Sequence, residues 1–251
     1  MATIQRVARG IWVSRVALDD YDVKGALVLG DQRAVVWDTL SRPRDIRPFL
    51  PLIGARELVI VYSHADWDHI WGTAGLPYDG VSIVAHNRCG WRFGEDVPIV
   101  LADKQQKEPG RWDDVTLVPP TQGFEHEWSL DLGGVTLDLH HLPGHTPDCI
   151  VGLVRERGVL LAGDTVESPC PVVPGDSPLA AWIAELTRWA DDDRVAMIVP
   201  AHGPIGGREI LRRNVEYLEA LRTGHPIEPP GLGTGFYRDT HLSNLRWRGD
   251  S

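Results

Sequence analysis

The stretch SHADWDH, residues 63–69, places two histidines and two aspartates directly behind the apolar run LVIVY. Imidazole and carboxylate groups bind transition metals and transfer protons near neutral pH. Four such groups at the end of a buried strand make the stretch a candidate for metal or proton chemistry. Its four polar residues of interest are His64, Asp66, Asp68 and His69.

Three further polar residues follow predicted strands in the same way: His145 in LPGHTPD, Asp164 in LLAGDT and His202 in VPAHG. Each alone has an ordinary explanation, as a hydrogen-bonded polar residue or a turn former. Together with the first cluster they match the ligand set of zinc, or of non-haem iron and manganese. A cation would also offset the cost of holding several acids close together.

Apolar patterning predicts the elements that position these residues. Residues 4–16 and 25–38 predict strands joined by hairpins, with a GDQ turn in the second, and a Pro-punctuated segment after them predicts a short helix. The continuous run ELVIVYS is typical of a strand buried on both faces, in a sheet covered by helices. Strands of such a sheet deliver their carboxyl ends to one edge, where ligand sites form.

The second half of the chain repeats this order. Hairpins are predicted around Gly133 and Gly134 and around ERG, followed by a helix in SPLAAWIAELTRWADDD with Ser177 as its N-cap and a buried strand in VAMIVPAH. At equal spacing, Leu27, Val28, Asp38 and Thr39 match Leu153, Val154, Asp164 and Thr165. The repeat predicts two related sheet units packed face to face with helices outside.

Residues 87–127 interrupt the two halves and are predicted to be irregular because they are rich in Gly, Pro and charge. Such an insertion forms either a lid or pocket wall, or a simple surface excursion. Trp67, Trp71 and Trp91 fall near the polar cluster, as core packing or as a pocket wall. The tail, 226–251, begins as a Pro/Gly linker and ends in a short helix. The whole chain, 1–251, is predicted to be a single domain.

Composition excludes several classes of function. The chain has 251 residues and a formal net charge of −10, which disfavours nucleic acid as a partner. Cys89, Cys149 and Cys170 are odd in number and far apart, which predicts free thiols in a reducing compartment. The N-terminus contains neither a secretory apolar region nor a membrane span, so we predict a cytoplasmic protein without membrane contact.

The motifs HADWDH, PGHTPD, LLAGDT and VPAHG, in that order, resemble the metal motifs of the metallo-β-lactamase superfamily. The resemblance runs from the N-terminal hairpins to His202. It implies an α/β fold, a four-layer αββα sandwich of two mixed β-sheets flanked by helices, with a site for two divalent metal ions between the sheet edges. One ion would be held by His64, the residue at 66 and His145, the other by Asp68, His69 and His202, with Asp164 bridging.

The sequence departs from the family pattern at one position. The usual motif is HxHxDH, and Asp66 stands where the second histidine belongs. Two histidines and a carboxylate are accepted by zinc in hydrolases and also resemble the facial triad of oxygen-handling iron enzymes. If Asp66 does not bind, a single metal at Asp68, His69 and His202 is the alternative. We favour two ions because Asp164, the bridging carboxylate, is retained.

The resemblance predicts a metal-dependent hydrolase in which a metal-bound hydroxide attacks the ester, thioester, lactone or amide carbonyl of a small molecule. Zinc is the expected metal, with iron or manganese as alternatives, and Asp68 is the expected catalytic residue. A non-haem iron oxidoreductase, like flavodiiron proteins or persulfide dioxygenases of this fold, is the rival, and a non-catalytic binding protein is a third hypothesis. The sequence makes no prediction of substrate identity or oligomeric state.

The remaining histidines lack a motif context and receive no role, although His141 lies four residues before His145. Asp38, the first-half counterpart of Asp164, is a candidate acceptor for the second ring nitrogen of a ligating histidine. It is equally a candidate turn residue. The histidines without a motif are His86, His126, His140, His225 and His241.

Overall fold

The chain forms two mixed β-sheets flanked by helices in this computed structural model, which describes residues 2–225, 227–233 and 235–246. This arrangement is the predicted αββα sandwich. Among the helices in those ranges, none has the length and apolar character that crossing a bilayer requires.

The first sheet has seven strands paired in chain order. Pairing is antiparallel from β1 to β4 and parallel from β4 to β7. The strands are β1 (Thr3–Ala8), β2 (Ile11–Ala17), β3 (Asp22–Leu29), β4 (Arg33–Trp37), β5 (Glu57–Val61), β6 (Ser82–His86) and β7 (Gln122–Phe124).

The second sheet has five strands in the order β12-β11-β10-β9-β8. Its pairs are antiparallel except β11 with β12, which are parallel. The strands are β8 (Glu127–Asp131), β9 (Thr136–His141), β10 (Ile150–Val154), β11 (Val159–Gly163) and β12 (Met197–Pro200).

Helices cover the outer faces of both sheets. Three apolar clusters mark the layers: one between the first sheet and its helices, one between the sheets, and one between the second sheet and α6 and α7. The α-helices are α1 (Pro43–Ile46), α2 (Leu50–Ile53), α3 (Trp67–Ile70), α4 (Asn87–Arg92), α5 (Val97–Lys107), α6 (Leu179–Asp191), α7 (Glu209–Thr223) and α8 (Phe236–Arg246).

Alternation along single strands explains how both faces of a sheet are buried. In β4, Ala34 and Val36 join the outer cluster, whereas Val35 and Trp37 face the second sheet. Because successive side chains point to opposite faces, a continuous apolar run supplies both layers at once. The continuous apolar runs that predicted strands buried on both faces have this arrangement.

The internal repeat is visible in the sheet topology. β3 and β4 pair antiparallel and β4 and β5 pair parallel, and β10, β11 and β12 repeat that pattern in the second sheet. Asp38 directly follows β4, and Asp164 directly follows β11. The two equivalent aspartates therefore occupy equivalent places in the two sheets.

Two local predictions were wrong. Residues 87–127 are not irregular, because they contain α4, α5 and β7, the last strand of the first sheet. Ser177 does not cap α6: the residue preceding this helix is Pro178, and the helix has no side-chain cap. The tail helix is present as α8, and residues 247–251 of the predicted tail lie outside the described residues.

Candidate metal centre

The two sheets bring the seven predicted side chains to one shared edge. The first sheet supplies His64 just after β5, then Asp66, and Asp68 and His69 from the short helix α3. The second sheet supplies the other three, since His145 lies between β9 and β10, Asp164 follows β11 and His202 follows β12. Each therefore follows a strand or lies in a loop between strands, as the sequence predicted.

Small residues allow the close approach that this edge requires. Gly163 has a φ of +51°, and a Cβ there would lie 2.9 Å from the Ser63 side chain of the other sheet. A Cβ on Gly144, next to His145, would lie 2.2 Å from the ring of Trp182. The backbone N–H of Ile150 donates to the Ser63 carbonyl at 2.9 Å, which ties the sheets together beside the cluster.

Four overlapping groups of three possible ligand atoms are found among the described residues, and two of them match the predicted ligand sets. In the first, Asp66 Oδ2 lies 3.2 Å from His145 Nε2 and 3.5 Å from His64 Nε2. In the second, the Asp68 carboxylate oxygens lie 3.8 Å from His69 Nε2 and 3.7 Å from His202 Nε2. These are the two sets that the family resemblance assigned to two ions.

Asp164 lies between the groups. Its Oδ1 is 3.2 Å from His69 Nε2, and its Oδ2 is 3.2 Å from His202 Nε2. The same Oδ2 is 3.7 Å from the Nε2 atoms of both His64 and His145. One carboxylate thus faces all four imidazoles, the position that a bridging ligand needs.

The Nδ1 atoms of the four histidines are held by the fold. His145 and His202 direct Nδ1 to the carbonyl oxygens of Val172 and Asp22, at 3.2 and 2.6 Å. His69 Nδ1 lies 2.9 Å from Asp38 Oδ2, and His64 Nδ1 lies 3.0 Å from Ser63 Oγ, which itself donates to Asp38. Carbonyl and carboxylate oxygens only accept, and Ser63 Oγ must also accept because its one proton goes to Asp38. Nδ1 of each histidine therefore carries a proton, and Nε2 is left to bind a metal.

The donor set fits a metal ion. His64 Nε2, His69 Nε2 and Asp164 Oδ1 are fully buried and have no hydrogen-bond partner within the part of the chain that the structure describes. Such groups are costly to bury unless something satisfies them. Imidazoles and carboxylates that converge within 4.8 Å of one another can hold divalent ions.

The carboxylates and imidazoles of the cluster shift one another's pKa values. Burial raises the pKa of Asp164, but His202 and His69 outweigh it and hold the pKa well below its usual range. Burial lowers the pKa of His145 and His202, yet neighbouring carboxylates raise these pKa values to about 10 and about 9. The metal-free cluster is therefore a network of carboxylates and imidazolium groups, and a metal ion binding there displaces protons.

Two residues near the cluster were not predicted from the sequence. Arg92 Nη2 donates to Asp66 Oδ1 at 2.7 Å. Glu167 forms another possible ligand group with His145 and Asp164, and burial and the charge of Asp164 raise its pKa to about 7. Glu167 lies three residues after Asp164, a signal that could have been used, whereas nothing in the local sequence links Arg92 to Asp66.

Two cavities lie near the cluster, and of the seven predicted ligands only Asp66 lines either of them. The larger, about 750 Å³, is lined by Tyr21, residues 172–175 and α8. Tyr21 connects it to the cluster, because its ring contacts His202 edge-on at 5.3 Å and stacks on Phe236 at 4.2 Å. The smaller, about 210 Å³, lies beside Asp66, so the 87–127 segment is a pocket wall there.

The remaining predictions have mixed outcomes. Trp67 and Trp71 line the smaller cavity, whereas Trp91 is exposed. His86 and His141 stack on each other at 3.7 Å, and their Nε2 atoms contact backbone carbonyl oxygens. The three cysteines are free and buried, as predicted: Cys89, Cys149 and Cys170.

Fold and site together define a class of protein, an αββα sandwich with a metal-binding cluster where its two sheets meet. A family model described as the metallo-beta-lactamase superfamily matches residues 23–202, and the chain belongs to that superfamily. Proteins of this superfamily bind divalent metals, typically zinc, and the chain is a metal-dependent hydrolase of this fold.

Relatives and solved structures agree with this assignment. The probable metallo-hydrolase YqgX of Bacillus subtilis is 22% identical over 156 residues, 61% of this chain and 70% of its own. Acyl-coenzyme A thioesterase MBLAC2 of Gallus gallus is 24% identical over 242 residues, 88% of this chain and 87% of its own.

A metallo-beta-lactamase from Pontibacter korlensis shares the fold with a TM-score of 0.69 at 19% identity, covering 87% of this chain and 99% of that one. The metallo-beta-lactamase FIM-1 from Pseudomonas aeruginosa, in its mono-zinc form, has a TM-score of 0.63 at 22% identity, with 87% and 95% covered.

Proposed function

We propose that this protein hydrolyses the ester, lactone or thioester bond of a small molecule with two zinc ions at the candidate metal centre. The observation that carries the proposal is the position of Asp164, which lies within 3.7 Å of the Nε2 atoms of all four histidines. A bridging carboxylate serves two ions rather than one. When bound, the ions supply a Lewis acid for the carbonyl oxygen and lower the pKa of a water toward ~7.

The chain's own groups would orient and deprotonate that water. Asp68 is buried and presents one oxygen toward His69 and the other toward His202. One oxygen can therefore bind a metal while the other accepts the proton of the attacking water.

The wall of the larger cavity favours a neutral or cationic substrate. Among the described residues, Asp19, Asp20 and Asp239 line it against a single cation, Arg246. Excess carboxylate would repel the phosphates of coenzyme A, although a relative is named as an acyl-coenzyme A thioesterase. We therefore favour small lactones, esters and short thioesters over acyl-coenzyme A.

Substitution of Asp68 tests the reaction. Asp68→Ala should lower kcat by ~10²–10⁴-fold on any substrate found in a panel of lactones, esters, thioesters and β-lactams. Asp113→Ala, at an exposed position, is the control and should leave kcat unchanged. Equal kcat in wild type and Asp68→Ala, at equal metal content, would overturn the proposed role.

Asp66 forms a group of two histidines and one carboxylate with His64 and His145. Because iron oxygenases use such a ligand set, an iron oxidoreductase is the second candidate. Aerobic purification followed by metal analysis separates the two. Zinc, with hydrolysis restored by zinc alone after chelation, supports the hydrolase. Stoichiometric iron with oxygen consumption, and no hydrolysis of any panel member, supports the oxidoreductase.

A further inference from the structure

Asp66 uses its two oxygens for different partners. Oδ2 faces His145 Nε2 and His64 Nε2 at 3.2 and 3.5 Å. Oδ1 is turned away from the cluster and accepts from Arg92 Nη2 at 2.7 Å. Only one oxygen of this carboxylate is therefore directed at the first group of ligand atoms.

The guanidinium of Arg92 is itself held in place. Nη2 also donates to Asp96 Oδ2 at 2.7 Å, and Nη1 donates to Asp148 Oδ1 at 3.1 Å. Asp148 is fully buried, and its other oxygen accepts from the backbone N–H of Ala65 at 2.8 Å, directly before Asp66. Arg92, the last residue of α4, thus connects that helix to the side chain of Asp66 and to the loop that carries Asp66.

The contact occupies one oxygen of Asp66. The family motif has a histidine here, which offers a metal a single ring nitrogen, whereas a carboxylate offers two oxygens. Arg92 holds Oδ1 through one charge-assisted hydrogen bond, while its other donor contacts are to Asp96 and Asp148. Its charge is shared among three carboxylates, so what it supplies to Asp66 is orientation, and Oδ2 alone is left to face the first group of ligand atoms.

We propose that Arg92 is a positioning residue that holds Asp66 as a one-oxygen metal ligand, the counterpart of the single nitrogen that a histidine would offer at this position. This inference rests on the metal centre of the proposed function, and it concerns metal binding rather than the substrate. The residue acts through Asp66 and has no contact with the other six side chains of the cluster among its described hydrogen bonds.

Zinc affinity of metal-free protein, measured by chelator competition without substrate, tests the inference. Arg92→Met should weaken one of the two zinc sites by ~10–100-fold, the usual effect of losing a partner of a metal ligand. Arg92→Lys keeps a positive charge without the planar guanidinium and should lose less zinc affinity than Arg92→Met.

Arg155→Met is the control. It breaks a two-bond ion pair with Asp138, outside the cluster, and should leave both zinc affinities unchanged. Cobalt substitution should show an altered absorption spectrum in Arg92→Met, because Asp66 is then free to bind through both oxygens.

The same substitution in an Asp66→His background separates positioning from general support of the fold. There Arg92→Met should not weaken zinc binding, because no carboxylate remains at position 66 to orient. An equal loss in both backgrounds, or no loss in the original one, overturns the inference. If wild type binds zinc with this dependence on Arg92 but hydrolyses nothing, the proposed function fails and the inference stands. Wild-type protein that binds no divalent metal overturns both.

Discussion

Asp38 orders two histidines of the cluster, although it would not itself bind metal. It is fully buried, has a φ of +56°, and accepts from Ser63 N, Ser63 Oγ and His69 Nδ1 at 2.7, 2.8 and 2.9 Å. A left-handed conformation outside glycine persists only where the surroundings fix it, and aspartate tolerates it better than most residues. Two histidines, His69 directly and His64 through Ser63, therefore depend on one carboxylate.

Asp38→Asn should weaken zinc binding by ~10–100-fold, because the amide replaces one accepting oxygen with a donor and cannot satisfy all three partners. Chelator competition on the metal-free variant measures the effect. Asp113→Asn, at an exposed position, is the matched control. An affinity equal to wild type would mean that the histidines are oriented without Asp38.

Among single residues, those that lie just after a predicted strand could be assigned to the cluster from the sequence. His64, Asp164 and His202 lie one to three residues after strands, so apolar patterning alone places them at one edge. Arg92 was missed because its partner lies 26 positions away, and only folding brings α4 against the loop that carries Asp66.

Among the elements, α8 was given no role from sequence and proves to support the site. Asn244 is buried, accepts from Val173 N at 3.0 Å and donates to the Pro171 carbonyl at 2.7 Å. Between these two residues, Val172 offers the carbonyl that orients His145. One side chain of α8 thereby fixes the backbone that holds a predicted ligand.

Asn244→Ala should reduce the free energy of unfolding by ~1–3 kcal/mol, because it leaves a buried N–H and a buried carbonyl without partners. Urea denaturation of the metal-free protein measures the change. Ser243→Ala alters the neighbouring exposed position and should remain within about 0.5 kcal/mol of wild type. A loss as large in Ser243→Ala would assign the effect to the helix as a whole.

Sequence patterning failed where helices are short or weakly amphipathic. Segment 87–127 contains α5, which exposes Ile99, so its apolar residues do not form the single stripe that marks a surface helix. Ser177 was predicted as the N-cap from its residue type, but α6 begins at Leu179 and its N-cap position is Pro178. Strands buried on both faces were easier to predict, because their apolar runs are continuous.

For the whole molecule, the decisive feature is that ligands come from both sheets. An ion bound to His64 and His145 would link β5 of one sheet to the β9–β10 loop of the other. Zinc at 100 times its dissociation constant should add ~2.7 kcal/mol to the free energy of unfolding and raise Tm by roughly 5–10 °C. Thermal denaturation with and without chelator measures this shift, and equal Tm values would contradict it.

The pH dependence of the metal-free protein should have a definite sign. The pKa values of His145 and His202 are raised to about 10 and about 9, so their contribution to stability is complete below ~6.5 and is lost as pH rises toward those values. The lowered pKa of Asp164 acts oppositely, since its contribution is lost only in acid, below the ordinary aspartate range. We expect the urea midpoint with chelator to fall between about pH 6.5 and 10.

Added zinc reverses that trend, because protons compete with the metal for Nε2. The difference in urea midpoint between zinc-loaded and chelated protein should therefore widen as pH rises. A chelated midpoint that increases through this range would show that the imidazoles are neutral before metal binds.

The larger cavity takes part of its wall from α8, whereas every residue predicted to hold metal precedes position 203. The same helix, through Asn244, braces the backbone whose Val172 carbonyl orients His145. A substitution in α8 therefore reaches the cavity wall and the aim of a predicted ligand at once. Mutational drift in this final helix is expected to alter both features together.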